Sequence, residues 1–394
     1  MKKKIDTIQW TVWALTMVLS IFTILIGNRI VTEGFSVFGG AGDTLERATV
    51  TRLIDTEAGE MDLGGSAVYQ NKTIDFECVL ESGADEGRTV RAQQMIDSMY
   101  AGSQYVKEVE PGDSITIIKS EDITTEESGI DWQFNDYYRL DKIIILGCIF
   151  MVLILLLGRW KGVNTLLSLI LTFSFVFFVF VPSVMNGYNA YIMAAITCVF
   201  TIIMTLLLIN GARKKTWATV IGCSAGTMIA AFATVVMNHT LELTGFIDEH
   251  SYYLTTLNPD DPIDLTAIIF AAIIIGALGA IMDVAMDLSS ALYELSEKLP
   301  DISFGGLYRS GMNIGRDIMG TMANTLVLAY IGSSLTSIML LLTYSMSMGH
   351  LLNREVIIVE ILQTLIGSLA ILLTIPCTVF ICGVLYLKRN RRAL

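Results

Sequence analysis

Uninterrupted apolar runs are the feature that most limits what this chain can fold into. A helix of about 20 residues rises roughly 30 Å, which is the thickness of the hydrocarbon core of a bilayer. Only 16% of the residues are charged, against about 25% in soluble domains. The runs cover 8–26, 142–158, 163–182, 189–209, 217–238, 263–282, 318–342 and 356–387. We therefore predict a polytopic α-helical membrane protein with about eight transmembrane helices.

The short loops between these runs differ in basic charge, and this difference predicts the orientation. Lysines and arginines cluster at 2–4, 159–161, 213–215, 298–316 and 388–392, whereas the opposite short loops contain only Arg354. Loops rich in lysine and arginine stay in the cytoplasm. Residues 1–31 read as an uncleaved signal-anchor helix, because no small-residue cleavage site follows the first run. We expect both termini to be cytoplasmic.

Residues 32–141 differ from the rest of the chain in charge and in periodicity. They hold 23 acidic and 8 basic residues, so the segment carries −15 and the remainder +3. Apolar Ile74, Phe76, Cys78 and Leu80 recur at every second position, as in a half-buried strand. Further strands are expected at 49–54, 88–91 and 114–118, and a helical turn within 91–100. The segment predicts a small, acidic, β-rich domain, either an antiparallel barrel or a sandwich, held outside the cytoplasm.

Residues 142–394 are expected to form a seven-helix membrane domain with a cytoplasmic polar segment at 283–317. At 100° per residue, one narrow acidic face of this segment contains Asp283, Asp287, Ser290, Glu294 and Glu297. The face either lies wet at the membrane interface or lines a route for cations or protons inside the bundle. Burial against a polar partner is favoured for such acids, since an aspartate facing lipid costs about 2.5–3.5 kcal/mol.

A second polar face follows if 309–330 is one helix. It contains Arg309, Asn313, Arg316 and Asn324, with Asp317 at its border. Docked against the acidic face, it would form a structural ion-pair network, and Gly311 and Gly315 would permit close helix approach. Alternatively it lines a substrate path, for which Asn324 is the strongest candidate. Glu360, one turn inside the last run, either belongs to the path or reaches the outer interface.

Four stretches of this sequence resemble the YibE/YibF-like family of bacterial multi-pass membrane proteins. They are 158–162 with 166–169, 210–216, Met282–Asp287, and Ser310–Asp317 running into Asn324–Tyr330. The resemblance covers about 142–345, and the anchor and soluble block look like the longer, YibE-type member. It implies a permease-like bundle of undefined substrate in the bacterial cell membrane, often accompanied by a shorter paralogue. It implies no catalytic residues.

Few other functional signals are present. The sequence contains no Walker loop, dinucleotide fingerprint or nucleophile elbow, and His239, His250 and His350 match no metal motif. We therefore expect no enzymatic activity, cofactor or metal, and the acidic balance argues against a nucleic-acid partner. The leading hypothesis is a transporter or permease subunit driven by an ion gradient, partnered by the bilayer and by a shorter paralogue or a second copy. The alternative is a non-transporting scaffold or regulator whose outer β domain binds a partner or envelope component.

Overall fold

The chain divides into two compact units. The computed structural model describes residues 2–33, 45–62, 68–97, 107–119, 130–247, 249–256, 262–344 and 347–387. The β unit follows the N-terminal helix, contains all the described strands and ends at Leu153. The helical unit contains the N-terminal helix α1 (Lys2–Val31) and the helices from Ile154 onward.

The β unit is a closed barrel. Its five strands within the described residues are β1 (Leu45–Asp62), β2 (Val68–Leu80), β3 (Thr89–Asp97), β4 (Ser114–Lys119) and β5 (Trp132–Tyr137). They follow the order β1–β2–β3–β5–β4, and the barrel closes between β4 and β1. The β3–β5 pair is parallel and the other pairs are antiparallel. This strand order, with its single parallel pair, is that of an OB fold, so the predicted β-rich domain is confirmed as a barrel.

The barrel core follows the alternation in the sequence. Ile74, Phe76, Cys78 and Leu80 are all at most 1% exposed. Burial raises the pKa of the Cys78 thiol to about 12, so this cysteine behaves as a small apolar side chain. Gln94 is also buried, and it is fully used: its amide donates to the carbonyl of Lys107 at 3.1 Å and accepts from the Val109 amide at 3.0 Å.

One expectation about this unit is wrong, and one strand was not predicted. Residues 91–97 continue strand β3 rather than forming a helical turn, because they pair with β2 along their length; 98–100 lie outside the described residues. The aromatic residues around 132–137 form strand β5, and Trp132 packs into the barrel core with 7% of its surface exposed. Sequence periodicity missed this strand because burial does not alternate along it: Trp132 is its one buried residue, whereas buried residues alternate along the equally short β4.

The helical unit supplies the long apolar helices. It contains α2 (Leu140–Phe175, which begins in the β unit), α3 (Val181–Met185), α4 (Ala190–Asn210), α5 (Lys214–Thr240), α6 (Glu249–Thr256), α7 (Leu265–Lys298), α8 (Phe304–Ser333), α9 (Leu335–Tyr344), α10 (Met348–Leu352) and α11 (Glu355–Leu387), with a π-helical stretch at Val176–Phe180 between α2 and α3. Within the described residues, six segments are long and apolar enough to cross a membrane, or seven if α8 and α9 form one bent span. The chain is thus a mostly helical membrane protein with a small β unit.

The longest of these segments, Leu140–Met185, is broken near its middle. Arg159 has a positive φ of 49°, outside helical conformation. A Cβ added at Gly162 would overlap the carbonyl oxygen of Ile154, eight residues earlier. In a straight helix these residues would be about 12 Å apart along the axis. The chain therefore folds back on itself at the basic Gly158–Gly162 stretch.

Helices α5, α7 and α11 form the centre of the helical unit. Gly222 and Gly226 of α5 sit against Thr378 and Thr374 of α11, and a Cβ at either glycine would overlap the facing threonine hydroxyl. Small residues at four-residue spacing let two helix backbones approach closely. All four residues are buried.

Candidate functional site

The acidic face predicted in the sequence lies on the outside of α7. This helix is continuous from Leu265 to Lys298, with no break at 282. Asp264 is the N-cap of this helix, and its carboxylate accepts from the amides of Thr266 at 3.0 Å and Ala267 at 3.2 Å. Asp283 lies roughly 27 Å along the axis from Leu265, near the far boundary of a bilayer about 30 Å thick.

The two sides of this part of α7 are sharply different. Val284, Leu288 and Leu292 are completely buried, whereas Asp283, Asp287 and Glu294 are exposed. Glu294 pairs with Lys298, one turn later, at 2.7 Å. The predicted amphipathic division of the helix is thereby confirmed. The acids do not line the interior of this chain's own bundle.

Helix α8 is divided in the same way, and glycine forms its inner side. Ser303 caps the helix by accepting from the Gly306 amide at 3.1 Å. A Cβ at Gly311 would lie 2.7 Å from Val379 of α11 and 3.0 Å from Leu292 of α7, and one at Gly315 would overlap Ile375 of α11. Close approach at these glycines was expected against the acidic face of α7; the structure shows it mainly against α11, with Leu292 on the apolar side of α7 as the one α7 contact that these two positions meet among the described residues.

The outer side of α8 carries the polar residues. All five predicted candidates on this helix are exposed: Arg309, Asn313, Arg316, Asp317 and Asn324. We call this set the α8 polar face. It runs through the middle of a 30-residue helix whose other exposed residues include apolar Leu328 and Ile331.

The structure does not bring the α7 acids and the α8 polar face together. Among the ion pairs of the described residues, none joins Asp283, Asp287 or Glu294 to Arg309 or Arg316. The two helices meet where Leu292 packs against Gly311, and again where Tyr330 faces Gly276. The expected neutralising ion-pair network within one chain is therefore wrong, because these contacts between the described residues involve small, apolar and aromatic side chains and pair no acid with an arginine.

The predicted span 318–342 is bent rather than straight. Helix α8 ends at Ser333, and α9 leaves at 60°. The Ser333 hydroxyl donates to the Tyr330 carbonyl at 2.8 Å, and the Ser334 amide donates to the same carbonyl at 3.1 Å. Serine hydroxyls that bond to the preceding turn compete with the helical ladder and bend helices.

Beside this bend lies a mainly apolar groove of about 190 Å³ that contains Tyr330 and half-buried Glu360. The Tyr330 hydroxyl is buried and has no hydrogen-bond partner among the described residues. It faces Gly276 of α7, where an added Cβ would lie 2.6 Å away. Glu360 is the predicted candidate here; Tyr330 was missed as a site residue, although it ends the Asn324–Tyr330 stretch. The groove is separate from the charged part of the α8 polar face.

A buried polar cluster, also missed from the sequence, joins α5, α7 and α11. The Ser289 hydroxyl donates to the Lys215 carbonyl at 2.8 Å and lies 2.8 Å from the Tyr386 hydroxyl. Tyr386 also lies 3.1 Å from the Ser289 carbonyl. Ser289 is next to Ser290 of the acidic face, but it lies about 100° further around the helix and is completely buried, so periodicity alone gave no reason to select it.

Comparison with known proteins gives one family. Neither the curated proteins nor the solved structures contain a match to this chain. The model of the YibE/F-like protein family matches residues 146–388, which include every helix from α4 to α11. The match contains every candidate residue of the two polar faces as well as Glu360, and it covers more than half of the chain. The chain therefore belongs to the YibE/F-like family.

Proposed function

We propose that this chain is the larger subunit of a membrane permease, driven by an ion gradient, whose polar route is completed by a second subunit. The observation that carries the proposal is the α8 polar face. Family membership supports a membrane role, and the substrate is not specified by the residues present.

In a membrane the α8 polar face needs a polar neighbour. Arg316 and Asp317 lie on the outside of a membrane helix, where facing lipid would cost about 2.5–3.5 kcal/mol for each charged side chain. The inner side of α8 is already occupied by α11 and α7. A second copy of this chain, or a shorter YibF-like paralogue, would cover the polar face and leave a hydrated route between the two subunits. Asp287 and Asn324 would lie along that route.

The proposed membrane topology has eight crossings in the bacterial cell membrane. The six segments become eight when the Leu140–Met185 segment counts as two and α8–α9 as one. At 1.5 Å per residue the 46-residue segment is roughly 69 Å long, about twice what one crossing requires, and it reverses at Arg159. Both termini are then cytoplasmic and residues 32–141 outside. A reagent that labels intact cells from outside should not reach a tag at Lys214. Labelling of that tag from outside would show that the proposed orientation is inverted.

Flux through reconstituted liposomes tests the permease. Wild-type chain, alone and with the shorter paralogue, is compared with Asp287→Asn under an imposed proton or sodium gradient. Asp301→Asn is the matched control, because Asp301 is an equally exposed acid that lies beyond the end of α7. We expect flux that Asp287→Asn lowers at least tenfold and Asp301→Asn leaves unchanged. Folded wild-type protein that passes no more ions than empty liposomes, under both conditions, would exclude the permease.

The scaffold alternative is favoured by one specific observation, the OB-type strand order of the β unit. Barrels of this kind bind extended polymers across β2 and β3, although a fold alone does not establish a ligand. The exposed part of that surface carries Arg91 and Met95, beside Asp75 and Gln93, which are joined by a hydrogen bond of 2.9 Å. Binding of an envelope polysaccharide that Arg91→Ala abolishes, with no measurable ion flux, would favour the scaffold.

A further inference from the structure

A cavity at one end of the helical unit has no place in the proposed transport route. Its volume is about 290 Å³, and it lies between the first turns of α1, the reversal in α2, and the loop that joins α4 to α5. The side chains that line it include Gln9, Trp10, Trp13, Trp160, Lys161, Asn164 and Arg213. None of them belongs to the α7 acids or to the α8 polar face.

Three tryptophans shape one side of the cavity. The Trp10 ring lies 5.7 Å from Trp13 and 5.3 Å from Trp160, measured between centroids. Trp10 and Trp160 are more than half exposed, although each has a large apolar surface. Tryptophan rings in this situation occupy the boundary between hydrocarbon and water, where the ring is in lipid and the N–H is near polar groups.

Asn164 supplies a buried polar group in the cavity wall. The Trp13 indole N–H donates to its Oδ1 at 3.0 Å, and only 7% of the Asn164 side chain is exposed. Because the oxygen is already bonded, the Nδ2 amino group is the part of this side chain left to donate to a solute.

The charge of the cavity is positive. Lys161 and Arg213 line it, and Lys215 lies close enough to experience repulsion from both. Arg213 is held in place by a hydrogen bond of 3.1 Å from its guanidinium to Gln9 Oε1 of α1. Of the described residues that line the cavity, none is acidic. Clustered cations without a counter-charge favour an anionic ligand.

We propose that this cavity binds the phosphate of an anionic phospholipid head group. A guanidinium and an ammonium match phosphate oxygens, and basic pockets between membrane helices bind acidic head groups. The tryptophan rings would pack against the glycerol and upper acyl region. A quaternary ammonium also stacks on tryptophan, but Lys161 and Arg213 would repel it, so the cavity should discriminate against zwitterionic choline lipids.

Native mass spectrometry of the detergent-purified full chain tests this assignment. Phosphatidylglycerol and phosphatidylcholine are titrated separately, and inorganic phosphate is then added as a competitor. Arg213→Gln is compared with Lys214→Gln, which removes the same charge at the neighbouring position but does not line the cavity. We expect phosphatidylglycerol to bind about tenfold more weakly to Arg213→Gln, as for the loss of one charged hydrogen bond, and less than twofold more weakly to Lys214→Gln.

Lys161→Gln provides a second variant on another helix, and a thermal melt without lipid shows whether each variant is folded. Equal loss in Arg213→Gln and Lys214→Gln, or equal binding of phosphatidylcholine, would overturn the site. Displacement of the lipid by millimolar inorganic phosphate, with the same dependence on Arg213, would assign the site to free phosphate instead of a head group.

Discussion

The polar residues at the centre of the helical unit and those on the outer side of α8 differ in size, charge and exposure. Between α5, α7 and α11, polar groups are small, uncharged and buried: Thr374 and Ser289 are completely inaccessible. On α8 the polar groups are large, several are charged, and the described ones are exposed. In a membrane the first arrangement stabilises one chain by itself, whereas the second is favourable only when something polar covers it. The buried polar groups at the centre therefore stabilise the fold of the chain itself, whereas the α8 polar face requires a polar partner in a membrane.

The largest expected effect comes from breaking the close contact at the centre. Gly226→Val should lower the free energy of unfolding by about 1–3 kcal/mol, because overpacking forces backbone and side chains apart. A Cβ at this position already lies 3.1 Å from Thr374 Cβ and 3.2 Å from Ile281 Cγ2. Thermal or denaturant unfolding in detergent measures the change.

Gly279→Val is the matched control for this substitution. Gly279 lies on α7, is exposed, and has no atom within 4 Å of an added Cβ among the described residues. The control should change stability by less than about 0.5 kcal/mol, as do ordinary surface substitutions. Equal destabilisation by the two valines would show that the α5–α11 contact does not hold the centre together.

The next effect tests whether the α8 polar face is covered. In a Cys148→Ser background, Asn313→Cys or Asn324→Cys should cross-link to a second subunit in native membranes. Val199→Cys on α4 should cross-link at least about tenfold less, although Val199 is 53% exposed, because an apolar residue facing lipid carries no comparable cost. Products on denaturing gels measure the ratio. Similar yields at all three positions would mean that α8 faces lipid like any other outer helix.

The sequence predicts elements and faces well where a single physical signal decides them. Alternation located the buried side of β2, and the 100° periodicity separated the acids of α7 from its buried apolar side. What it did not predict is which sides meet. The acidic and basic faces were expected to pair because opposite charges attract, but glycine allows a closer approach of α8 to α11 than charged side chains would.

Other features could not be predicted from the sequence because they depend on contacts between residues that are distant in the chain. Gly222 and Gly226 matter only because threonines of a helix about 150 residues later face them, and Tyr330 is distinctive only beside Gly276 and Glu360. The bend after Ser333 follows from hydroxyl bonds within an apolar run, which hydropathy does not record.

A smaller effect is expected from the buried hydroxyl cluster at the centre. Ser289→Ala removes the hydroxyl that bonds both the Lys215 carbonyl and the Tyr386 hydroxyl, although Tyr386 keeps its bond to the Ser289 carbonyl. The substitution should cost about 0.6–1.5 kcal/mol, the range for hydrogen bonds between membrane helices. Tyr386→Phe should cost less, because Ser289 keeps its bond to the Lys215 carbonyl. Unfolding of both single variants and the double variant gives the coupling; strictly additive losses would show that the two hydroxyls do not act together.

The smallest effect is expected in the barrel, whose surface is charged, in contrast to the neutral centre of the helical unit. In the β unit, Asp113 accepts from Lys107 Nζ at 2.8 Å and 2.9 Å and from the Glu110 amide at 3.0 Å. Partial burial opposes ionisation, but these donors outweigh it, and the pKa of Asp113 is lowered. The resulting stabilisation is present above the ordinary aspartate pKa of about 4 and is lost as the pH falls through the lower folded-state value.

Asp113→Asn should therefore lower the stability of the barrel at pH 7 by at most about 1 kcal/mol, since Lys107 is more than half exposed and water screens the pair. The difference between wild type and variant should shrink as the pH is lowered from 5 to 3, because protonated Asp113 loses the same charge. Hydrogen exchange of the amides around 107–113, followed against those of α7, measures both units in one sample. Two results would contradict this prediction. One is a stability difference between wild type and Asp113→Asn that does not change with pH; the other is exchange at the α7 amides that increases with acid as much as exchange at 107–113. Either result would mean that surface charge does not distinguish the stability of the barrel from that of the helical centre.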